Sequence, residues 1–136
     1  MRKRAKRSRE SRVVNTAPLV SIVDDDESVR ESLPDLLKEL GFAARAFASA
    51  HEFLTSDYVA ASHCLLLDIA MPGMSGPELR RELALRGQAI PTIFITARAD
   101  QTVRQQLLEQ GAVECLFKPF SEEQLRAALA AAFRRN

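Results

Sequence analysis

The chain has 136 residues, of which 46% are hydrophobic and 27% charged, with a formal net charge of +1. That is enough apolar material for one domain core, and it excludes a chain disordered throughout. No apolar run approaches the ~18 residues of a membrane span. The sequence therefore reads as a soluble chain with no membrane partner. Cys64 and Cys115 stand 51 positions apart and His51 and His63 are isolated, which excludes a disulfide framework and a zinc site. Both thiols read as buried groups of a reducing cytoplasm. The near-zero charge hides an uneven distribution, because residues 1–12 carry +6 and the remaining 124 residues carry −5.

Residues 1–16, rich in Arg, Lys and Ser and without periodicity, read as a basic, solvated tail. Nucleic acid enters as a partner only if that tail binds it. Residues 17–136 read as the folded domain, with no room for a further output domain. Leu19–Val23 is a compact β-rich run. Val29, Leu33, Leu36, Leu37 and Leu40 then fall on one helical face, with Asp26 as its cap, Gly41 as its stop and Pro34 as an expected bend. Phe42–Phe47 is the second predicted strand, followed by a short helix from Ser49, and Cys64–Leu67 is the third. The next helix carries Leu79, Leu83 and Leu85, with Pro77 in its first turn. Pro91–Ile95 is the fourth predicted strand. Val103, Leu107 and Leu108 mark a helix between Asp100 and Gly111. Val113–Phe117 is the fifth strand, and Ser121-Glu122-Glu123-Gln124 forms a capping-box pattern ahead of Leu125, Leu129 and Phe133.

Five strands alternating with five helices predict a doubly wound α/β fold, a parallel sheet with helices on both faces. In such a sheet ligands sit outside the carboxyl ends of the strands. The residues there are Asp24-Asp25-Asp26, Asp68, Thr96-Ala97 and Lys118-Pro119. Carboxylates gathered in one cleft repel one another and call for a cation. Mg²⁺ suits oxygen ligands of this kind. With an ammonium and a hydroxyl alongside, the set suits phosphoryl transfer, with an Asp as nucleophile.

The segments Val23-Asp24-Asp25-Asp26-Glu27, Leu67-Asp68 through Gly76, Ile95-Thr96-Ala97 and Phe117-Lys118-Pro119-Phe120 resemble the receiver domain of two-component response regulators, particularly the FixJ-type branch. The resemblance covers Pro18 to Arg134. It implies a (βα)5 flavodoxin-like sheet with strand order 2-1-3-4-5. It also implies that Asp68 accepts phosphate from a histidine kinase or phosphotransfer protein. Asp24, Asp25, Asp68 and the Ala70 backbone carbonyl would hold Mg²⁺, Lys118 would contact the phosphate and Thr96 would move to hydrogen-bond it. The Lys118–Pro119 peptide is expected to be cis. Relatives carry an aromatic switch residue where this chain has Cys115, so the usual coupling to Thr96 is expected to weaken or to use another residue. Ala70 and Arg98 flank the route of the attacking water, which predicts an altered phosphate lifetime.

The expected activity is thus a phosphoacceptor switch rather than a turnover enzyme, with slow autodephosphorylation. Its output would be protein contact, and a homodimer through the fourth helix, fifth strand and fifth helix is one expected form. Two alternatives are the receiver part of a truncated FixJ-type transcription factor and an Asp-nucleophile phosphohydrolase. The second would want a general acid two positions after Asp68, where Ala70 stands.

Overall fold

The structure, a computed structural model, describes residues 17–134, so the basic segment over residues 1–16 lies outside the described residues. Along the chain run β1 (Leu19–Val23), α1 (Glu27–Glu39), β2 (Ala43–Phe47), α2 (Ala50–Leu54) and β3 (Cys64–Asp68). Then follow α3 (Gly76–Leu85), β4 (Thr92–Thr96), α4 (Gln101–Glu109), β5 (Glu114–Phe117) and α5 (Glu122–Arg134). The strands pair in parallel in the order β2-β1-β3-β4-β5, as the alternation and the resemblance imply.

Strand alternation divides the apolar residues between two faces. Val20, Ile22, Cys64, Leu66, Ile93, Ile95 and Leu116 pack beneath α1 and α5 with Leu33, Leu37, Leu125 and Leu129. Val23, Leu65, Leu67, Phe94 and Cys115 pack on the other face with Phe53, Leu79, Leu83 and Leu107. β3, the central strand, is buried along its whole length, which is why Cys64–Leu67 reads as a continuous apolar run.

Three helices end alike. The N–H of Gly41 bonds to Lys38 O and that of Phe42 to Leu37 O, with Gly41 at φ +99°. Gly87 with Gln88, and Gly111 with Ala112, repeat this Schellman pattern at the ends of α3 and α4. Phe42 therefore belongs to the cap of α1, and the second strand starts one residue later than its apolar run suggests. The fourth strand starts at Thr92 because Pro91 has no N–H for the ladder, although its carbonyl accepts from Leu65 N–H at 2.9 Å. Val113 N–H bonds to Thr92 O at 2.8 Å just ahead of β5. β3 extends one residue further than predicted, since Asp68 pairs in register with Ile95.

The cap assignments hold. Asp26 accepts from Ser28 N–H, and Ser121 and Gln124 form the reciprocal box at 3.0 and 2.8 Å. A second box joins Ser75 and Glu78. α1 continues through Pro34 as one helix. Leu85 departs from expectation: it is 78% exposed, because it follows Leu83 by two positions and lies on the opposite side of α3. Phe133 is only half-buried and stacks on Phe42 with centroids 5.2 Å apart.

Candidate functional site at the carboxyl edge of the sheet

The side-chain series that builds the face beneath α1 and α5 runs on past the apolar residues. Val20 and Ile22 lead to Asp24, Cys64 and Leu66 lead to Asp68, and Leu116 leads to Lys118. The same pleat that packs the core thus delivers two carboxylates and an ammonium to one side of the sheet's edge. Thr96 and Cys115 belong to the alternate series, which packs the other face through Phe94.

Asp24 is 0% exposed and held from several directions. Its N–H donates to Phe47 O at 3.1 Å, Oδ1 accepts Asp26 N–H at 2.9 Å, and Oδ2 accepts Lys118 Nζ at 2.9 Å. The Arg30 guanidinium donates to its backbone carbonyl at 3.0 Å. Asp25 is exposed and Asp68 is 7% exposed. Carboxylate oxygens of Asp24, Asp25 and Asp68 all lie within 4.8 Å of one another, and theirs is the group with metal-binding spacing among the described residues.

The electrostatics follow from this crowding. Burial and then the charge of Asp24 push the Asp68 carboxyl up to about 7, with Lys118 opposing them. Burial works against the charge on Lys118, but the hydrogen bond and charge of Asp24 outweigh it and hold its pKa above the ordinary lysine value. A second cation in the trio would relieve the repulsion. The donor set consists of oxygens only, which is what Mg²⁺ prefers, so the residues fit that ion.

Three further expected participants stand at or near the strand ends. Thr96 is buried, but its hydroxyl accepts the Arg98 N–H at 3.1 Å, while its carbonyl takes the Lys118 N–H at 2.8 Å. Both bonds are at the ends of β4 and β5. Ala70 is exposed, two residues beyond Asp68, after Ile69 has spent its N–H on Ile95 O and its carbonyl on Gly76 N–H. Cys115 is buried in β5, where burial pushes its thiol up to about 11; Cys64 is likewise pushed up to about 12. Neither thiol is a ready thiolate at neutral pH. The Lys118–Pro119 peptide is cis, as expected.

Two contributors escape the sequence reading. A Cβ on Gly76 would stand 2.2 Å from the Asp68 carbonyl oxygen, so only glycine lets the start of α3 close against the site strand. Its place in the quoted motif was visible, but the contact that requires it was not. The second is Arg104, which bonds Glu114 Oε1 at 2.6 Å and the Cys115 carbonyl at 3.3 Å, tying α4 to β5 beside Cys115.

Comparison with known proteins supplies an independent view. The profile described as "Response regulator receiver domain" matches residues 20–130. The response regulator protein TodT of Pseudomonas putida is 39% identical over 118 residues, covering 87% of this chain and 52% of TodT. The structure of the response regulator StyR is 42% identical with a TM-score of 0.79, covering 88% of this chain and 61% of StyR. The FixJ-N crystal structure is 36% identical with a TM-score of 0.77, covering 88% of this chain and 95% of that one. The chain spans about half the length of the curated relatives it matches.

Proposed function

The chain belongs to the response regulator receiver family, and from that premise we propose that Asp68 is its phosphoacceptor, taking a phosphoryl group from a histidine kinase or phosphotransfer protein. The observation that carries this reading is the burial of Asp68 at the end of the central strand, within 4.8 Å of Asp24 and Asp25, with Lys118 already bound to Asp24. An Asp68 oxygen attacks phosphorus, and the bond to the donor breaks as the acyl phosphate forms. Mg²⁺ held by Asp24, Asp25, Asp68 and the Ala70 carbonyl would neutralise charge on the phosphoryl oxygens. Lys118 exchanges part of its contact with Asp24 for the new phosphate. Thr96 releases the Arg98 N–H and turns its hydroxyl toward the phosphoryl group.

Phosphate acts as a switch only through contacts that differ between two states. Here the difference would be transmitted past Cys115 by the Thr96 movement and the ends of β4 and β5. Output by protein contact, including a homodimer, would use the face of α4, β5 and α5. There Arg104, Gln101, Gln124, Ala127 and Ala131 line a groove of about 380 Å³. Ala70 and Arg98, both exposed beside the site, set the phosphate lifetime. The described part of the folded unit is residues 17–134, and the reading puts it in the cytoplasm with its donor; among the described residues no helix is long and apolar enough to cross a membrane. A phosphohydrolase is disfavoured by Ala70, which offers no acid where such a reaction wants one.

Incubation with acetyl phosphate and Mg²⁺ tests the reading. One phosphoryl group should appear on the wild type and none on Asp68→Asn by intact-mass measurement, and equal labelling of both would end the proposal. Sizing with and without beryllofluoride tests the output face, where an unchanged monomer would count against the dimer.

A further inference from the structure

Arg30 occupies a position that local rules disfavour. It lies one turn into α1, near the positive end of the helix dipole, where acidic side chains are the favoured ones. Its side chain nevertheless turns back and is partly buried, with Nη1 3.0 Å from the Asp24 carbonyl oxygen. A residue that departs from local preference marks a compensating interaction elsewhere. That interaction falls on the last unsupported group of Asp24, since its N–H, Oδ1 and Oδ2 are already taken by Phe47, Asp26 and Lys118.

We infer that Arg30 is a positioning residue for the cation site: it holds the turn between β1 and α1 so that the Asp24 and Asp25 carboxylates stay aimed at Asp68. It reaches the backbone and leaves both Asp24 carboxylate oxygens to their other partners. Asp25, exposed and one residue further on, takes its place from the same turn. The inference rests on the reading of Asp24 and Asp25 as metal ligands.

Charge and position predict opposite signs, which makes the inference testable. Removing a cation near three carboxylates strengthens Mg²⁺ binding if charge is all that Arg30 contributes. If it positions the turn, removal weakens binding by about tenfold, the lower end of the range for residues that orient metal ligands. The experiment titrates Mg²⁺ into wild type, Arg30→Met and Arg30→Lys, following backbone amide NMR shifts, with hydrogen exchange measured on the metal-free proteins. The expected result is weaker binding by Arg30→Met and an intermediate value for Arg30→Lys, which keeps a donor. Exchange should quicken at the Asp26 amide while the Leu66 amide in the sheet is unchanged. Binding by Arg30→Met as tight as wild type or tighter would overturn the inference alone. Equal acceleration at Asp26 and Leu66 would also overturn it, by showing general loss of stability. A wild type that binds no Mg²⁺ would overturn the functional reading and this inference together.

Discussion

The two ends of the sheet are built to opposite rules. At the amino end, α1, α3 and α4 stop in the same way, with Gly41, Gly87 and Gly111 at positive φ and their carbonyls satisfied by backbone N–H groups. These backbone caps are local and electrically neutral. At the carboxyl end Asp24, Asp25 and Asp68 come together, groups that resist being charged at once, and the Lys118 ammonium is bonded to Asp24. The amino end satisfies itself, whereas the carboxyl end is left with a charge that a ligand can neutralise. The proposed site sits where local stability was given up.

The sharpest way to separate the ends is a pair of glycines. Gly76→Ala forces a Cβ to 2.2 Å from a backbone carbonyl of the site strand and should cost about 3 kcal/mol, with loss of acetyl phosphate labelling in whatever protein remains folded. Chemical denaturation and labelling of the same samples check it. Gly87→Ala meets open space and suffers only from φ +72°, so about 1 kcal/mol is expected and labelling should be untouched. Equal effects on labelling would erase the distinction.

The repulsion at the carboxyl end makes a pH prediction. Folded Asp68 titrates at about 7 against an ordinary value of 3.8, so the folded state keeps a proton that the unfolded state loses first. The contribution of this group to metal-free stability is therefore complete below pH 4, falls as pH rises toward 7 and is constant above that. Asp68→Asn should accordingly raise the melting temperature in Mg²⁺-free buffer at pH 8 by roughly 3–5 °C, about 1 kcal/mol for a domain of this size. The gain should shrink at pH 5, where the wild-type carboxyl is already neutral. A gain independent of pH would show that repulsion is not its source. Because the ion competes with that proton, Mg²⁺ affinity of the wild type should rise between pH 6 and 8.

The smallest expected effect is at the amino end. The exposed pair Arg86–Glu82, one turn apart at 2.8 Å, should contribute no more than about 0.5 kcal/mol. Denaturation of Arg86→Ala checks this, and a loss above 1 kcal/mol would mean the amino end depends on charge after all.

This contrast also explains what the sequence could reveal. Glycine stops, Asx and Ser caps and alternating strands are local devices, so the order of elements and the Schellman ends are legible from neighbouring residues. Asp24, Asp68 and Lys118 are legible too, because strand periodicity carries them to one edge. Contacts between distant segments are not. Nothing beside Gly76 announces the Asp68 carbonyl, and nothing beside Arg104 announces Glu114 across the α4–β5 connection. Thr96 is visible at the edge, yet its hydroxyl is engaged by the Arg98 N–H through a loop conformation that no spacing encodes. Leu85 misleads for a simpler reason: its hydrophobic identity says nothing of its angle around α3, which turns it to solvent.

The central claim is that the carboxyl edge of this sheet presents one phosphoryl-accepting carboxylate. Its most direct test is to label the protein with acetyl phosphate and Mg²⁺, reduce the acyl phosphate with borohydride, and locate the modified residue by peptide mass spectrometry. The account predicts modification at Asp68 alone. Modification at Asp24 or Asp25 in place of Asp68 would contradict it.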